Sequence, residues 1–489
     1  MRITKDMLRT KYELFMKGIL LFLLLFIPFR NVLEIFIGTY VKLIPDMAIL
    51  LLVIFFPVLY KEKIRIKLYD ICIGLFLVVV FVNTVFVQGI DLTIYIFEVR
   101  SIMVYYLLFF VIRNFEFSLR YKLLICKIIR YITYVLLVLG VIEKLSRKTL
   151  LFPKNIAESI IYEDNFARVY SMFFNPNTYG AFLVLSFFIV IYFEKSKLLL
   201  YKITVIVSLL LSMSRSSILL FAFFLTLYLI VIERKTILKN KKRLCGQALL
   251  IVCVSLLFYA ACEYATDKIS TAVQEKENEL ALNEEQNVEQ NIETESNSEY
   301  IEESGTDKAV NEEYVADTSE AAEETVEEEQ TTTVYDRMGE LNTEEIIEQS
   351  RTDGRLFFLE KGLEIFKDYP ILGTGFGTYG SAASMNWEPP LYEKYELPYG
   401  FYADNEYIKD LVETGIIGCI IFGAFLLSIL YDYRNKHFVV LFCIGIGWFG
   451  LFYNVFEVQI VAYLLWLLLG MEGRKNEENR IRRTKKDTI

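Results

Sequence analysis

The sequence predicts an all-α polytopic membrane protein with about twelve transmembrane helices and a large extracytoplasmic loop between spans 9 and 10. Three observations lead there. Apolar residues arrive in long blocks, basic residues gather in alternate connections, and one long segment is strongly acidic.

The chain has 489 residues, of which 54% are hydrophobic and 15% aromatic, with mean hydropathy +0.39. A helix satisfies its own backbone hydrogen bonds, so a run of about 20 apolar residues can cross the hydrocarbon core of a bilayer. Such runs lie near 14–30, 43–60, 69–87, 99–113, 128–145, 178–193, 198–213, 216–232 and 245–262, then 405–430, 438–453 and 455–470. The N-terminus is basic, lacks a small-residue cleavage site and is followed by further spans. It reads as a first membrane helix, not a removable leader.

Charge sets the expected orientation. Lys61, Lys63, Arg65 and Lys67 fill one connection, and Arg113, Arg120, Lys122 and Lys127 fill another. Lys195, Lys197 and Lys202, the run Arg234–Arg243, the pair Arg434 and Lys436, and the tail from Arg474 follow the same alternation. Basic connections stay in the cytoplasm, so both termini are expected inside a bacterial cytoplasmic membrane and an even span count follows. Segment 146–177 carries several basic residues on the opposite side, which weakens the rule locally.

The net charge of −9 hides an asymmetry. Residues 263–348 hold 28 acidic and 4 basic residues, leaving the remainder at +15. Four regions follow: spans 1–9 in residues 1–262, an acidic insert in 263–350, an ordered loop in 351–404, and the last three spans with a basic tail in 405–489. The stretch 266–348 has too few apolar residues to form a core, and its like charges favour disorder. In 351–404, Leu356, Leu359, Leu363 and Phe366 recur at helical spacing, predicting an amphipathic helix with this seam against the bundle or bilayer. Thr352 or Asp353 can cap it, and Pro370 stops it. The Gly373-Thr-Gly375-Phe-Gly377 run precedes no βαβ pattern, so it reads as a close-packed turn and not a dinucleotide site.

The seven cysteines lie in or beside apolar runs and form no metal or disulfide spacing; buried, unpaired thiols are expected. The sole histidine, His437, falls on a predicted cytoplasmic connection, which argues against an outward Ser-His-Asp triad or a histidine metal site. No metal, cofactor or nucleic-acid partner is expected. Charges near the membrane are costly and therefore informative. Arg100, Arg168, Arg215, Arg351 and Arg355 all fall on the predicted outer side, and arginine suits phosphate through bidentate, charge-assisted bonds. Each could instead be a snorkelling or capping residue, Arg215 least readily because its turn is so tight. Asp404 is the best-placed outer carboxylate for a general base, and could also cap the helix that starts near Asn405. Glu413 sits deeper and could pair with an arginine.

In chain order these residues form Arg168 before Asn175-Pro-Asn177, then Ser214-Arg215-Ser216, then Glu364–Gly380 (EIFKDYPILGTGFGTYG) and Ala403–Gly418 (ADNEYIKDLVETGIIG). This order resembles the O-antigen ligase and Wzy-type polysaccharide polymerase family, from about Arg100 to the last span. The resemblance implies a metal-independent, inverting membrane glycosyltransferase acting on undecaprenyl-diphosphate-linked oligosaccharide at the outer face. A chain-length regulator and a flippase would be its pathway partners. Matched positions make Arg215 the diphosphate ligand, with Arg168 and Arg355 nearby and Arg100, Asn175, Asn177, Ser214, Arg351, Asn405 and Glu413 as further substrate contacts. Many members carry His-Asn where this chain has Asp404-Asn405, so Asp404 becomes the expected base. That departure favours a polymerase for capsule, exopolysaccharide or O-antigen over a ligase. A transporter or flippase is the alternative from another class, but no internal repeat with matching broken helices is visible.

Overall fold

Apolar chain that meets no water must satisfy its backbone locally, and the computed structural model is accordingly helical, with no strand among the described residues. It describes residues 2–146, 148, 150, 168–194, 198–233, 245–273, 276, 354–398 and 400–473. Arg351, the predicted caps Thr352 and Asp353, and most of the acidic stretch lie outside these residues.

Helix α1 (Arg2–Phe26) passes through a proline turn into α2 (Arg30–Ile37). Then come α3 (Ile44–Tyr60), α4 (Leu68–Phe81, extended by a π-helical turn to Val87), α5 (Leu92–Ile112) and α6 (Leu119–Leu145). Next are α7 (Pro176–Phe193), α8 (Leu199–Ser212), α9 (Arg215–Val231) and α10 (Cys245–Val273). The acidic segment is followed by α11 (Arg355–Asp368), the short α12 (Leu391–Tyr395), α13 (Glu406–Tyr433), α14 (His437–Phe449) and α15 (Gln459–Glu472). Among the described residues, eight helical stretches are long and apolar enough to cross a membrane, and α8, α9, α14 and α15 are shorter apolar helices. Each predicted span coincides with one of these.

Two helices are apolar on every side, and such helices belong inside a bundle. They are α7, buried from Tyr179 to Val190, and α15, buried from Ile460 to Met471. They pack against each other, with α5 on α15, α4 on α13, α8 on α7 and α9 on α14 around them. The outer surface stays apolar, as Leu14, Val58, Ile420 and Leu427 illustrate. Water would not tolerate so continuous an apolar surface, whereas lipid does. The chain is a multi-pass membrane protein.

The ends of the helices are held by charge. Opposite the α11–α12 loop, Arg113 grips Asp70 through both terminal nitrogens (2.7 and 2.8 Å), Lys67 reaches Asp432 at 2.8 Å, and Lys122 pairs with Glu472. On the loop side, Gly373, Gly375 and Gly377 all take positive φ, and a Cβ on Gly373 would sit 2.4 Å from the Glu413 carbonyl carbon. Thr374 and Gly375 donate to the carbonyls of Val412 and Glu413 at 2.9 and 3.0 Å. These bonds reach α13 just before Gly415, whose φ of 61° kinks the helix. The glycine run is therefore the close-packed turn that its lack of a βαβ context predicts.

Three expectations need correction. Residues 266–273, placed in a disordered insert, continue α10. The seam Leu356, Leu359, Leu363 and Phe366 is not the packed face of α11: Leu356 and Leu363 are 38% and 41% exposed, while Gly362 and Ile365 are buried. Side-chain size misled the reading, because Gly362 lets α11 approach Ile408 of α13 and Phe358 stacks on Phe401. Finally, the cysteines are unpaired but not uniformly buried, since Cys245 and Cys253 are exposed on α10.

Candidate functional site

The N-terminal ends of α7, α9 and α13 converge on the face that carries the loop. Asn175 caps α7 by accepting from the amides of Asn177 and Thr178 (2.9 and 3.0 Å). Ser214 caps α9 by accepting from Ser217 N. The two ends touch because Gly180 has no side chain: a Cβ there would lie 2.3 Å from Ser217 Oγ. Each end presents unpaired amides and the positive pole of its helix.

Asn177 is the hub between these ends. Its Oδ1 accepts from Arg168 Nη2 at 3.0 Å, from Ser214 Oγ at 2.8 Å and from Ser216 Oγ at 3.5 Å. Arg168 also donates from Nε to the Ser212 carbonyl at 3.3 Å. Arg215 is the first residue of α9, half-buried beside this hub, and its guanidinium makes no hydrogen bond or ion pair among the described residues.

The loop brings the carboxylate. Arg355, at the start of α11, donates from Nε and Nη2 to Asp404 Oδ2 at 3.0 and 2.9 Å. Asp404 has φ 48°, a left-handed conformation unusual for a non-glycine residue and costly enough to suggest a local purpose. Its side chain is 26% exposed. Burial raises its pKa above the usual carboxylate range, while Arg355 and, beyond it, Arg168 pull it back. Arg168 and Asp404 therefore share one electrostatic environment. Tyr453, which bonds Thr178 at 3.1 Å, feels the charges of Asp404 and Arg355 as well.

The cap of α13 is Asn405, not Asp404. Asn405 Oδ1 accepts from Tyr407 N and Ile408 N, both at 3.1 Å, and Nδ2 donates to the Leu451 carbonyl at 3.1 Å. Its amide is thus committed to the fold and leaves Asp404 free for Arg355. Asn175 is committed in the same way. Among the described residues Glu413 pairs with no arginine: it is fully buried and accepts from Tyr379 N at 2.9 Å, holding the glycine turn. Arg100 stands apart from Arg168 and Asp404. It binds Asp46 at 2.5 Å in a polar cavity of about 490 Å³, lined also by Arg30, Tyr402, Glu457 and Thr178. Thr178 joins that cavity to the arginine cluster through Tyr453. His437, at the start of α14, lies at the opposite end of the bundle.

One constellation has no counterpart among the sequence-predicted residues. Lys409 is fully buried and contacts Glu457, Glu406 (3.2 Å) and Glu98 (3.4 Å), all buried, from three separate stretches of chain. The excess negative charge is met by backbone donors: Ala382 N to Glu457 (2.8 Å), Ala383 N to Glu98 (3.4 Å) and Phe456 N to Glu406 (3.2 Å). A lysine inside an apolar span was the available signal.

The fold and the cluster define a helical membrane protein presenting arginines and one carboxylate at a single face. Residues 200–423 match the family model described as O-antigen ligase. This match, covering α8 to most of α13 with Arg215, Arg355 and Asp404, supports placing the chain in the O-antigen ligase and Wzy-type family that its motifs resemble. It also supports a membrane enzyme of the ligase or polymerase type. No curated protein matches the chain.

The lysine knot carries a direct expectation. Lys409→Met leaves Glu98, Glu406 and Glu457 without their cation, which costs about 3–5 kcal/mol when one partner of a buried ion pair is removed. Thermal unfolding in detergent should show a markedly lower midpoint than the wild type. An unchanged midpoint would remove the knot as a structural element.

Proposed function

We propose that the protein is a surface-polysaccharide polymerase, a glycosyltransferase that joins lipid-diphosphate-linked oligosaccharide units at the outer face of the bacterial cytoplasmic membrane. The observation that carries this reading is Asp404 held by Arg355 with Arg168 in the same electrostatic environment, while Arg168 bonds Asn177 at the start of α7 and Arg215 begins α9 beside that hub. In this reading the loop face is the outer face, as the basic connections imply, and undecaprenyl diphosphate is the carrier, as the family resemblance implies.

The chemistry follows from these groups. The oxygen of an acceptor hydroxyl attacks the anomeric carbon, and the bond from that carbon to the diphosphate oxygen breaks with inversion. Asp404 takes the hydroxyl proton through Oδ1, since Oδ2 is held by Arg355. The departing diphosphate carries the electron pair. Arg215, whose donors are uncommitted among the described residues, meets that charge with Arg168 and the amides at the α9 end. The polar cavity beside Thr178, with Arg30, Asp46 and Glu457 next to Tyr402, suits sugar hydroxyls adjoining the reacting bond.

The test is purified protein in nanodiscs supplied with lipid-linked repeat unit. A ladder of products supports polymerisation, whereas a single transfer to a foreign acceptor would make the protein a ligase. Arg215→Ala should abolish long products while insertion stays normal, and undiminished polymer length would refute the assignment. Asp404→Asn should retain donor binding and slow transfer.

The pH dependence has a definite sign. Asp404 acts as a base only when deprotonated, so transfer should rise with pH through its raised pKa. Arg355→Gln removes the cation that lowers that pKa and should move the acid limb upward by about one pH unit. Single-turnover rates across pH measure this, and an unmoved limb rules out Asp404 as the titrating base.

A further inference from the structure

A groove of about 600 Å³ opens between α13, α14 and α15. Phe422, Leu426, Leu430, Ile446 and Leu465 make its walls apolar. Leu427 and Ile444 on its rim are 67% and 45% exposed, so it opens sideways on the flank of the bundle that faces lipid. Tyr407 and Trp448 line it near the loop-side end of α13, where amphipathic aromatic rings favour the membrane interface.

Two carboxylates, Glu406 and Asp410, also line it at that end. Glu406 is met by Lys409 and the Phe456 amide. Asp410 is different: the residue is only 8% exposed, and its carboxylate makes no hydrogen bond or ion pair among the described residues. Its helix neighbour Lys409 is already shared by three glutamates. Among the described residues, no arginine, lysine or histidine lines the groove. A cation-free wall with a buried acid repels a phosphate or diphosphate placed against it and attracts an ammonium. The arginine cluster has the reverse character.

We infer that this groove holds a glycerophospholipid with a primary amine in its headgroup, of the phosphatidylethanolamine class. The ammonium sits against Asp410, and an acyl chain runs along α13 toward Leu430 and Leu469. This site is separate from glycosyl transfer and does not depend on that reading.

The experiment is native mass spectrometry of the full chain released from nanodiscs containing equal phosphatidylethanolamine and phosphatidylglycerol, with polyprenyl diphosphate as a third probe. The wild type should retain the amine lipid over the glycerol lipid by about tenfold, the worth of one charge-assisted hydrogen bond. Asp410→Asn should bring the two lipids to near parity. Gly423→Leu, placed where an added Cβ meets nothing within 4 Å, should fill the groove and reduce retention of both. Equal retention by the wild type, an unaltered preference in Asp410→Asn, or retention of polyprenyl diphosphate that Gly423→Leu abolishes would each overturn the inference.

Discussion

A single buried ammonium, Lys409, holds together the half of the molecule that carries the site. It is the common partner of Glu98 on α5, Glu406 on α13 and Glu457 just before α15. Two of those glutamates also accept backbone amides of the connecting loop, at Ala382 and Ala383. In a medium of low dielectric an uncompensated carboxylate is very costly, so these groups cannot separate independently. The loop between α11 and α13 is therefore tied to the bundle by electrostatics at Ala382 and Ala383 as well as by apolar burial of Phe376. Its own apolar cluster is small, built around Ile365, Tyr379, Tyr392 and Phe401. Because Asp404 ends that loop, the position of the carboxylate at the site follows from a charge knot that does not touch it.

The same economy of polar groups shapes the arginine cluster. Asn177 Oδ1 takes three donors and so fixes Arg168 relative to the start of α9. Asn175, Ser214 and Asn405 spend their side chains on capping, which orients the helix ends they begin. Among the described residues, Arg215, beside the hub, and one oxygen of Asp404, on the loop, remain uncommitted. A site that bonds all of its own polar groups has nothing to offer a substrate. Here an arginine and a carboxylate oxygen are left available while Asn175, Asn177, Ser214 and Asn405, which set the helix ends around them, are bonded.

The positions of the membrane helices were legible in the sequence, because each apolar block is long and interrupted by charge. The arginines were legible for the same reason, since a cation beside an apolar run is conspicuous. Roles were harder to read. Asp404 and Asn405 are adjacent and both can cap a helix, and the hydrogen bonds give that role to Asn405. Arg100 looked like Arg168 in sequence, yet Asp46, more than fifty residues upstream, claims it. The packed face of α11 was misread because a glycine, not a leucine, makes the closest approach. Lys409 and its glutamates were missed because they come from distant segments, and no local pattern announces that Glu98 and Glu457 will meet.

Helix α13 shows how one register can serve opposite needs. Residues 406, 409 and 413 recur at spacings of three and four, so they share a face and point toward the loop and the knot. Asp410, one turn after Glu406, lies at the edge of this face, and the groove begins there, lined by Glu406, Tyr407 and Asp410. Glu406 and Glu413 are met by an ammonium or by backbone amides, whereas the Asp410 carboxylate, beside them, makes no hydrogen bond or ion pair among the described residues. The kink at Gly415 then lets the rest of the helix continue as an apolar wall, from Cys419 to Leu430, without carrying the loop contacts further into the bilayer. Apart from Asp432, which meets Lys67 at its far end, charge on this helix lies in its first three turns, where one side builds the scaffold of an arginine-lined site and the other borders the groove with a carboxylate that makes no hydrogen bond or ion pair among the described residues.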